Sequence, residues 1–436
     1  MQIRKTALIL ALAAFAACSA EQKQNAQQKV QNAKQKVSDA FDDVAAPVDR
    51  KPAPQVAQER EKERFDQQWR QLESFRAQQA AQQAAQQQQA AAQQAAAQQA
   101  AAQQQAAAVN VQFAPRGKKK ESFKGLDANA INAAPVMVPI DGDVQGPSVL
   151  KAQVYLDRNH FSVGALDGRW GKNSAIAVWW WQRAHNLPET GDVDETTFRS
   201  LAEGAAGVPA LTQHQLSADD VKGPFVSIPD DVYEKEKLDC LCYETLKEKL
   251  AERFHTTQDF LEELNPNANF SALNAGDTLV VPNVREPMQG DSKDIAKIVV
   301  SIAGNTFNGF DAAGNLIFHA PTTLGSKYDP SPNETTKVVK VVRDPHFHYQ
   351  PTLFHEVPDT DPEAHLNPGP NSPVGVVWMA LSKPHFGIHG TSDPESIGYA
   401  SSHGCVRLAN WDALEVSHRV SEGIEVEFVD TRKKAA

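Results

Sequence analysis

The sequence predicts a multidomain α+β chain, with small helical and mixed modules in its middle and a mainly-β domain at its C-terminal end. Three observations carry this prediction. Residues 149–203 hold amphipathic helical stretches separated by Gly-containing turns such as Asp167-Gly168. Within 242–284, Leu246, Leu250 and Phe254 recur four apart, Leu261 and Leu264 follow, and Leu279-Val280-Val281-Pro282 reads as a closing strand. From Ala296 onward, short β-rich runs alternate with Gly and Asn turns.

At 436 residues the chain has room for about two or three domains. A net charge of −11 argues against a nucleic-acid partner. Beyond the N-terminus, no run of eighteen apolar residues offers an internal membrane span.

Arg4 and Lys5 precede an apolar run from Ala7 to Ala17, the pattern of a secretory signal over residues 1–17. It ends in Phe15-Ala16-Ala17-Cys18, which resembles a bacterial lipobox with Phe15 in place of the usual Leu. The resemblance implies cleavage before Cys18 and lipidation of its sulfur, hence a periplasmic protein held to a membrane. Each buried acyl methylene would contribute about 0.8 kcal/mol to that anchor. Ser19, where inner-membrane lipoproteins carry a retention Asp, favours the outer membrane. An ordinary signal peptide without lipid is the alternative.

Residues 18–145 read as a spacer. From about Gln55 to Ala108 Gln and Ala dominate, both good helix formers, and only Phe65, Trp69, Leu72 and Phe75 form an apolar stripe. The segment is either a solvated helix, spanning about 80 Å if continuous, or disordered. Lys118, Lys119 and Lys120 read as a solvated charge run.

Residues 146–204 resemble the small three-helix peptidoglycan-binding domain. Gln153 and Leu156, Phe161 through Asp167-Gly168 and Gly171, the Ala177–Gln182 helix, Leu187, Thr190-Gly191 and Thr197 carry the likeness. Trp179, Trp180 and Trp181 are consecutive and cannot share one helix face, so at least one is core and one partly exposed. An exposed indole could stack on sugar; packing alone is the other reading. Residues 204–238 read as a linker. Residues 240–284 resemble a LysM module, a glycan-binding β-α-α-β unit, through AERFHTT, LNPN and GDTLVVP. The usual opening strand is weak there, and Cys240 and Cys242, two apart, can form a strained bridge.

The chemistry concentrates in residues 389–408, HGTSDPESIGYASSHGCVRL. Sixteen residues separate His389 from Cys405, too far for one helix face, so the chain must fold back to join them. A cysteine attacks as its thiolate, and a nearby imidazole can take the proton. Glycines let backbone N–H groups approach a reacting carbonyl.

This string strongly resembles the signature of the L,D-transpeptidases, which cross-link peptidoglycan. The matching residues are His389, Gly390, Ser402, His403, Gly404, Cys405 and Arg407. The resemblance implies a mainly-β catalytic domain, placed here at 294–430. It implies Cys405 as acyl-accepting nucleophile, His389 as its base, and His403, Gly404 and the Cys405 amide around the oxyanion. Arg407 would bind or orient the donor peptide, with Ser402 and Gly390 beside it. The expected partners are peptidoglycan stem peptides and glycan, and no cofactor or metal is needed. A four-ligand metal set from His385, His389, His403 and Cys405 is a separate reading with an uncommon spacing. Hydrolysis by the same thioester (an L,D-carboxypeptidase) and a non-catalytic wall anchor are the alternative functions; a strongly lowered Cys405 pKa would favour an enzyme.

Within this domain Val374–Leu381 reads as a buried strand, and Asn371, Ser372 and Pro373 as groove candidates. Residues 350–368, rich in Pro and Asp, read as a mobile lid or insertion, and His346, His348, His355 and His365 as surface residues. A helix is predicted over Asn410–Val420, with Trp411, Leu414 and His418 on one face, and EVEFVD gives a last strand.

Overall fold

The structure, a computed structural model, describes residues 111–116, 121–354 and 356–429. Cys18, the signal, the Gln/Ala-rich stretch, the lysine run and His355 lie outside the described residues.

A short parallel pair, β1 (Phe113–Pro115) and β2 (Val136–Val138), leads into three helices: α1 (Pro147–Arg158), α2 (Lys172–Ala184) and α3 (Glu195–Gly204). Local chemistry sets their starts. Pro147 opens α1, where its missing N–H costs nothing, and the Asp194 carboxylate accepts from the Thr197 amide to cap α3. Leu150, Val154, Ala177, Trp181, Phe198 and Leu201 fill the core between them. The three tryptophans divide as expected. Trp181 is buried against Phe161 and His185, while Trp179 and Trp180 are half-buried, edge to face at 4.9 Å with Arg183 over both rings.

A β-α-α-β unit follows: β3 (Leu211–Gln215), α4 (Leu246–Arg253), α5 (Gln258–Leu264) and β4 (Thr278–Pro282). Its opening strand is the polar LTQHQ, in the stretch read as linker; it pairs antiparallel with β4, Leu211 opposite Pro282 and Gln215 opposite Thr278. Buried apolar residues sit only at its ends, Ala210 and Leu211 at its start and Leu216 after it, so an alternating apolar pattern never announced the strand. Thr245 and Glu248 form a capping box at α4, and Thr257 caps α5. Between β3 and α4 the chain leaves this unit, and Cys240 and Cys242 are joined there by a disulfide.

The C-terminal domain is built on an eight-stranded mixed sheet. Its strands are β5 (Lys297–Ser301), β6 (Thr306–Phe310), β7 (Leu316–Pro321), β8 (Thr336–Arg343), then β11 (Val377–Leu381), β12 (Gly387–His389), β13 (Val406–Arg407) and β14 (Glu425–Val429). A separate hairpin, β9 (Phe347–Tyr349) with β10 (Ala364–Leu366), is inserted before β11. The order across the sheet is β13-β12-β11-β8-β14-β5-β6-β7. Helix α6 (Asn410–Arg419) lays Ala413 and Val416 on the same core as Val338, Met379, Ile388 and Val406. The helix is buried on more faces than its Trp411, Leu414 and His418 stripe implies: Asp412, Glu415 and Ser417 are also enclosed. The cause is a second layer, because the preceding modules pack on its outer side.

Arg285, 6% exposed on its side chain, forms that seam. It ion-pairs with Asp157 of α1, with Asp412 of α6 and, at 2.6 Å, with Glu415 of α6. His255, at the end of α4, bonds the same Asp157 at 2.8 Å and stacks on Trp411. Ser162 donates to Asp412 at 2.8 Å. Burial pushes the Asp157 carboxyl up, but Arg285 and His255 outweigh it and hold it below its ordinary value. A buried guanidinium surrounded by carboxylates from both sides cannot lose one partner cheaply.

Candidate active site

Strands β12 and β13 run parallel at the edge of the sheet, Ile388 opposite Val406 and His389 opposite Arg407. Side chains alternate along a strand. Ile388 and Val406 are fully buried in the core, so His389, Arg407 and Cys405 project from the other face. All three line one cleft of about 1560 Å³. Strand register, rather than a helix, therefore places His389 and Cys405 on the same cleft.

His389 is buried and stacked on Trp378 at 5.5 Å between ring centres. Its Nδ1 lies 2.6 Å from the Gly390 carbonyl, an acceptor, so Nδ1 carries the proton and Nε2 is the basic nitrogen. Burial first, and the Arg407 charge second, push its pKa down to about 3, which keeps it neutral at ordinary pH. Burial pushes the Cys405 thiol up, against the Gly387 amide and the Arg407 charge. The resting pair is thus a neutral thiol with a neutral imidazole. A lowered thiol pKa, set out above as the sign favouring an enzyme over an anchor, is not what this environment produces. The Sγ–H also points elsewhere at rest, to the His385 carbonyl at 3.8 Å. Cys405 is free of disulfides.

The turn around the cysteine is fixed from several sides. Ser402 is 3% exposed, and its hydroxyl donates to the Cys405 carbonyl at 2.6 Å; the predicted substrate contact is, in this geometry, a brace for the turn. Gly404 has φ +100°, a conformation that glycine adopts without strain, and its carbonyl accepts from Ser331 at 2.8 Å. Gly390 packs so closely on Asn410 Oδ1 that a Cβ there would collide with it. His403 lines the same cleft, where its Nε2 bonds Glu356 at 2.6 Å and its ring meets Phe354 edge-on. Arg407 Nε is buried with no hydrogen-bond partner among the described residues.

Residues 345–350 and 352–354 roof the cleft. The segment read as a mobile lid is anchored: its β9–β10 hairpin packs on Leu241, which is fully buried between Ala364 and Leu366. The Leu241 amide donates to the Pro368 carbonyl at 3.0 Å, and its carbonyl accepts from Asn371 at 2.9 Å. The Cys240–Cys242 bridge flanks this residue on both sides. Asn371 is consequently a clamp, bonded also to the Cys242 carbonyl and Glu248, while Pro373 and Val374 line the cleft. His346, His348 and His365 are exposed as expected, the last two stacked at 4.3 Å. The four-ligand metal set does not converge; among the described residues no three His, Cys, Asp or Glu side chains are placed to hold an ion.

A cysteine in the turn that leads into β13, a neutral histidine of fixed tautomer and a guanidinium with an unsatisfied Nε in one peptide-sized cleft define a cysteine acyl-transfer enzyme. Comparison with known proteins gives the class its family. The L,D-transpeptidase catalytic domain family matches residues 296–428, and a peptidoglycan binding domain family matches residues 145–201. The L,D-transpeptidase YkuD of Bacillus licheniformis is 32% identical over 183 residues, 42% of this chain and 92% of that protein. Its Bacillus subtilis counterpart is 28% identical over 177 residues, 41% of this chain and 89% of that protein. A crystal structure of L,D-transpeptidase 3 from Mycobacterium tuberculosis with a faropenem-derived adduct aligns at 17% identity and TM-score 0.26, covering 36% of this chain and 75% of that one. The chain belongs to the YkuD family of L,D-transpeptidases. It is an α+β enzyme of peptidoglycan cross-linking, its β-rich catalytic domain preceded by a peptidoglycan-binding domain.

Sequence reasoning missed three contributors: Asn410, Ser331 and Trp378. Only Trp378 carried a signal, an aromatic in a buried strand leading to His389.

Proposed function

We propose that Cys405 is the nucleophile and His389 the base of a two-step acyl transfer on stem peptides. The observation that carries this reading is the single cleft shared by Cys405, just before β13, and by the paired His389 and Arg407. As Sγ attacks the carbonyl between the third residue of the donor stem and its D-Ala, the thiol proton passes to His389 Nε2. The Gly404 and Cys405 amides face the developing oxyanion, with His403 at their rim. Collapse breaks the C–N bond, and the imidazolium returns the proton to the departing D-Ala amine. An acceptor amine, on a second stem or a protein lysine, then attacks the thioester; its proton goes to Nε2 and on to the leaving sulfur. Because both groups are neutral at rest, proton transfer accompanies attack rather than preceding it. Arg407, whose Nε lacks a partner among the described residues, is suited to a donor carboxylate.

The β-α-α-β unit reads as LysM-like and, with the peptidoglycan-binding domain, raises the effective concentration of a polymeric substrate. The lipobox-like string ending at Cys18 supports a periplasmic enzyme with a lipid anchor, in the outer membrane. Incubation of the full chain with a disaccharide-tetrapeptide, followed by mass spectrometry, tests the chemistry. An acyl adduct on Cys405 and a cross-linked product are expected, both absent in a folded Cys405→Ala variant; cross-linking retained by that variant would end the proposal.

A further inference from the structure

Asn410, five residues beyond Cys405, is 3% exposed and spends its whole amide on protein partners. Its Oδ1 accepts from the Thr391 amide at 3.1 Å and from the Val376 amide at 3.2 Å. Its Nδ2 donates to Glu252 Oε1 at 2.7 Å and to the Pro370 carbonyl at 3.2 Å. Two N–H donors on one side and two oxygens on the other leave only one orientation of the amide.

The Thr391 N–H and the Gly390 C=O belong to the same peptide group. That carbonyl is the one that accepts from His389 Nδ1 at 2.6 Å. One peptide plane is therefore held by Asn410 at its N–H end and holds the imidazole at its C=O end.

Glu252 sits on α4, outside the catalytic domain. Its other oxygen accepts from the Tyr243 hydroxyl at 3.4 Å, and among the described residues no lysine or arginine forms an ion pair with it. A half-buried carboxyl without a cation is a costly way to glue two modules together. Burial pushes it up to about 8, consistent with that cost. Its geometry serves orientation instead.

Resting on the reading of His389 as base, we infer that Glu252, contributed by the β-α-α-β module, is a positioning residue for acyl transfer: by fixing the Asn410 amide against the Gly390–Thr391 peptide it aims the His389 imidazole.

The test uses the full chain and four variants: Glu252→Ala, Glu252→Gln, Asn410→Asp and the double variant that combines the last two. Turnover and KM for the tetrapeptide donor are measured beside the melting midpoint and the pH profile of Cys405 alkylation by iodoacetamide. Glu252→Ala lowers kcat roughly ten- to a hundredfold, as for a misplaced catalytic group, with KM within about twofold. Glu252→Gln keeps an acceptor and retains kcat within about threefold. Above about pH 8, where Glu252 is ionised and cannot donate in its place, Asn410→Asp removes the donor and lowers kcat; the double variant restores it there, because the introduced glutamine amide can donate to the introduced aspartate carboxylate. A parental kcat and alkylation profile in Glu252→Ala overturns the inference even if the melting midpoint falls. If Glu252→Ala does not fold, the size-preserving double variant decides, and its failure to rescue Asn410→Asp overturns the inference. His389→Ala separates the layers: activity retained there sinks the base assignment and the inference with it. An inactive His389→Ala beside an unaffected Glu252 series sinks the inference alone.

Discussion

His389 and Arg407 stand opposite each other in the parallel pairing of β12 and β13. This register places a permanent positive charge beside the His389 imidazole and two residues along from Cys405. The charge acts on both, lowering the imidazole pKa and opposing the rise that burial gives the thiol.

Removing that charge should move both groups upward. In Arg407→Ala the His389 imidazole is easier to protonate and the Cys405 thiol harder to ionise. Imidazole NMR titration and alkylation rate against pH read the two shifts. Donor turnover should also fall by about tenfold or more, the loss expected of a charge-assisted contact worth about 1.5–3 kcal/mol. In the parent enzyme, with His389 neutral down to about 3, kcat/KM should show no histidine inflection near neutral pH.

Arg285→Met should cost about 3–5 kcal/mol, because Asp157, Asp412 and Glu415 keep their buried positions without the cation. Calorimetry of the parent should show the C-terminal modules melting together, and the variant should split that transition. A single unshifted peak would show that the seam is held by apolar packing alone.

Leu241→Ala should loosen the roof of the cleft. The leucine is fully buried against Ala364 and Leu366, and such truncations cost about 2–5 kcal/mol. Amide hydrogen exchange over residues 347–366 should accelerate while β5–β7 stay protected. Reduction of Cys240–Cys242, which flanks the leucine, should act in the same direction.

Glu252 gives a pH signature of its own. Its folded pKa of about 8 lies above the ordinary 4.5, so the folded state holds this proton more tightly. Its contribution to stability is complete below about pH 4.5 and is lost as pH rises through 8. Glu252→Gln removes that loss, so the variant should gain on the parent between about pH 5 and 9 in chemical denaturation. Parallel curves for the two proteins would contradict the raised pKa.

Much of the site was legible because its chemistry is local: His403, Gly404, Cys405 and Arg407 are neighbours in sequence, and glycine and histidine mark their own turns. The helices showed through apolar spacing, as at Leu246, Leu250 and Phe254. What stayed hidden depends on distant pairing. The polar β3 owes its existence to β4, far along the chain, and not to its own pattern. Glu252 and Asn410 are 158 positions apart, and neither carries a motif that names the other. The thiol's raised pKa follows from enclosure, which no spacing reveals.

The Arg285 cluster also bears on proteolysis. A cut between Arg285 and β5 that released the catalytic domain would take the guanidinium away from Asp412 and Glu415 and uncover the outer side of α6. The shortened piece would leave Asp412 without its cation, and Glu415 with Arg419 alone, on the helix that holds Asn410. The fold of the fragment carrying Cys405 is thereby coupled to the modules that precede it, and a severed catalytic piece loses part of its own support.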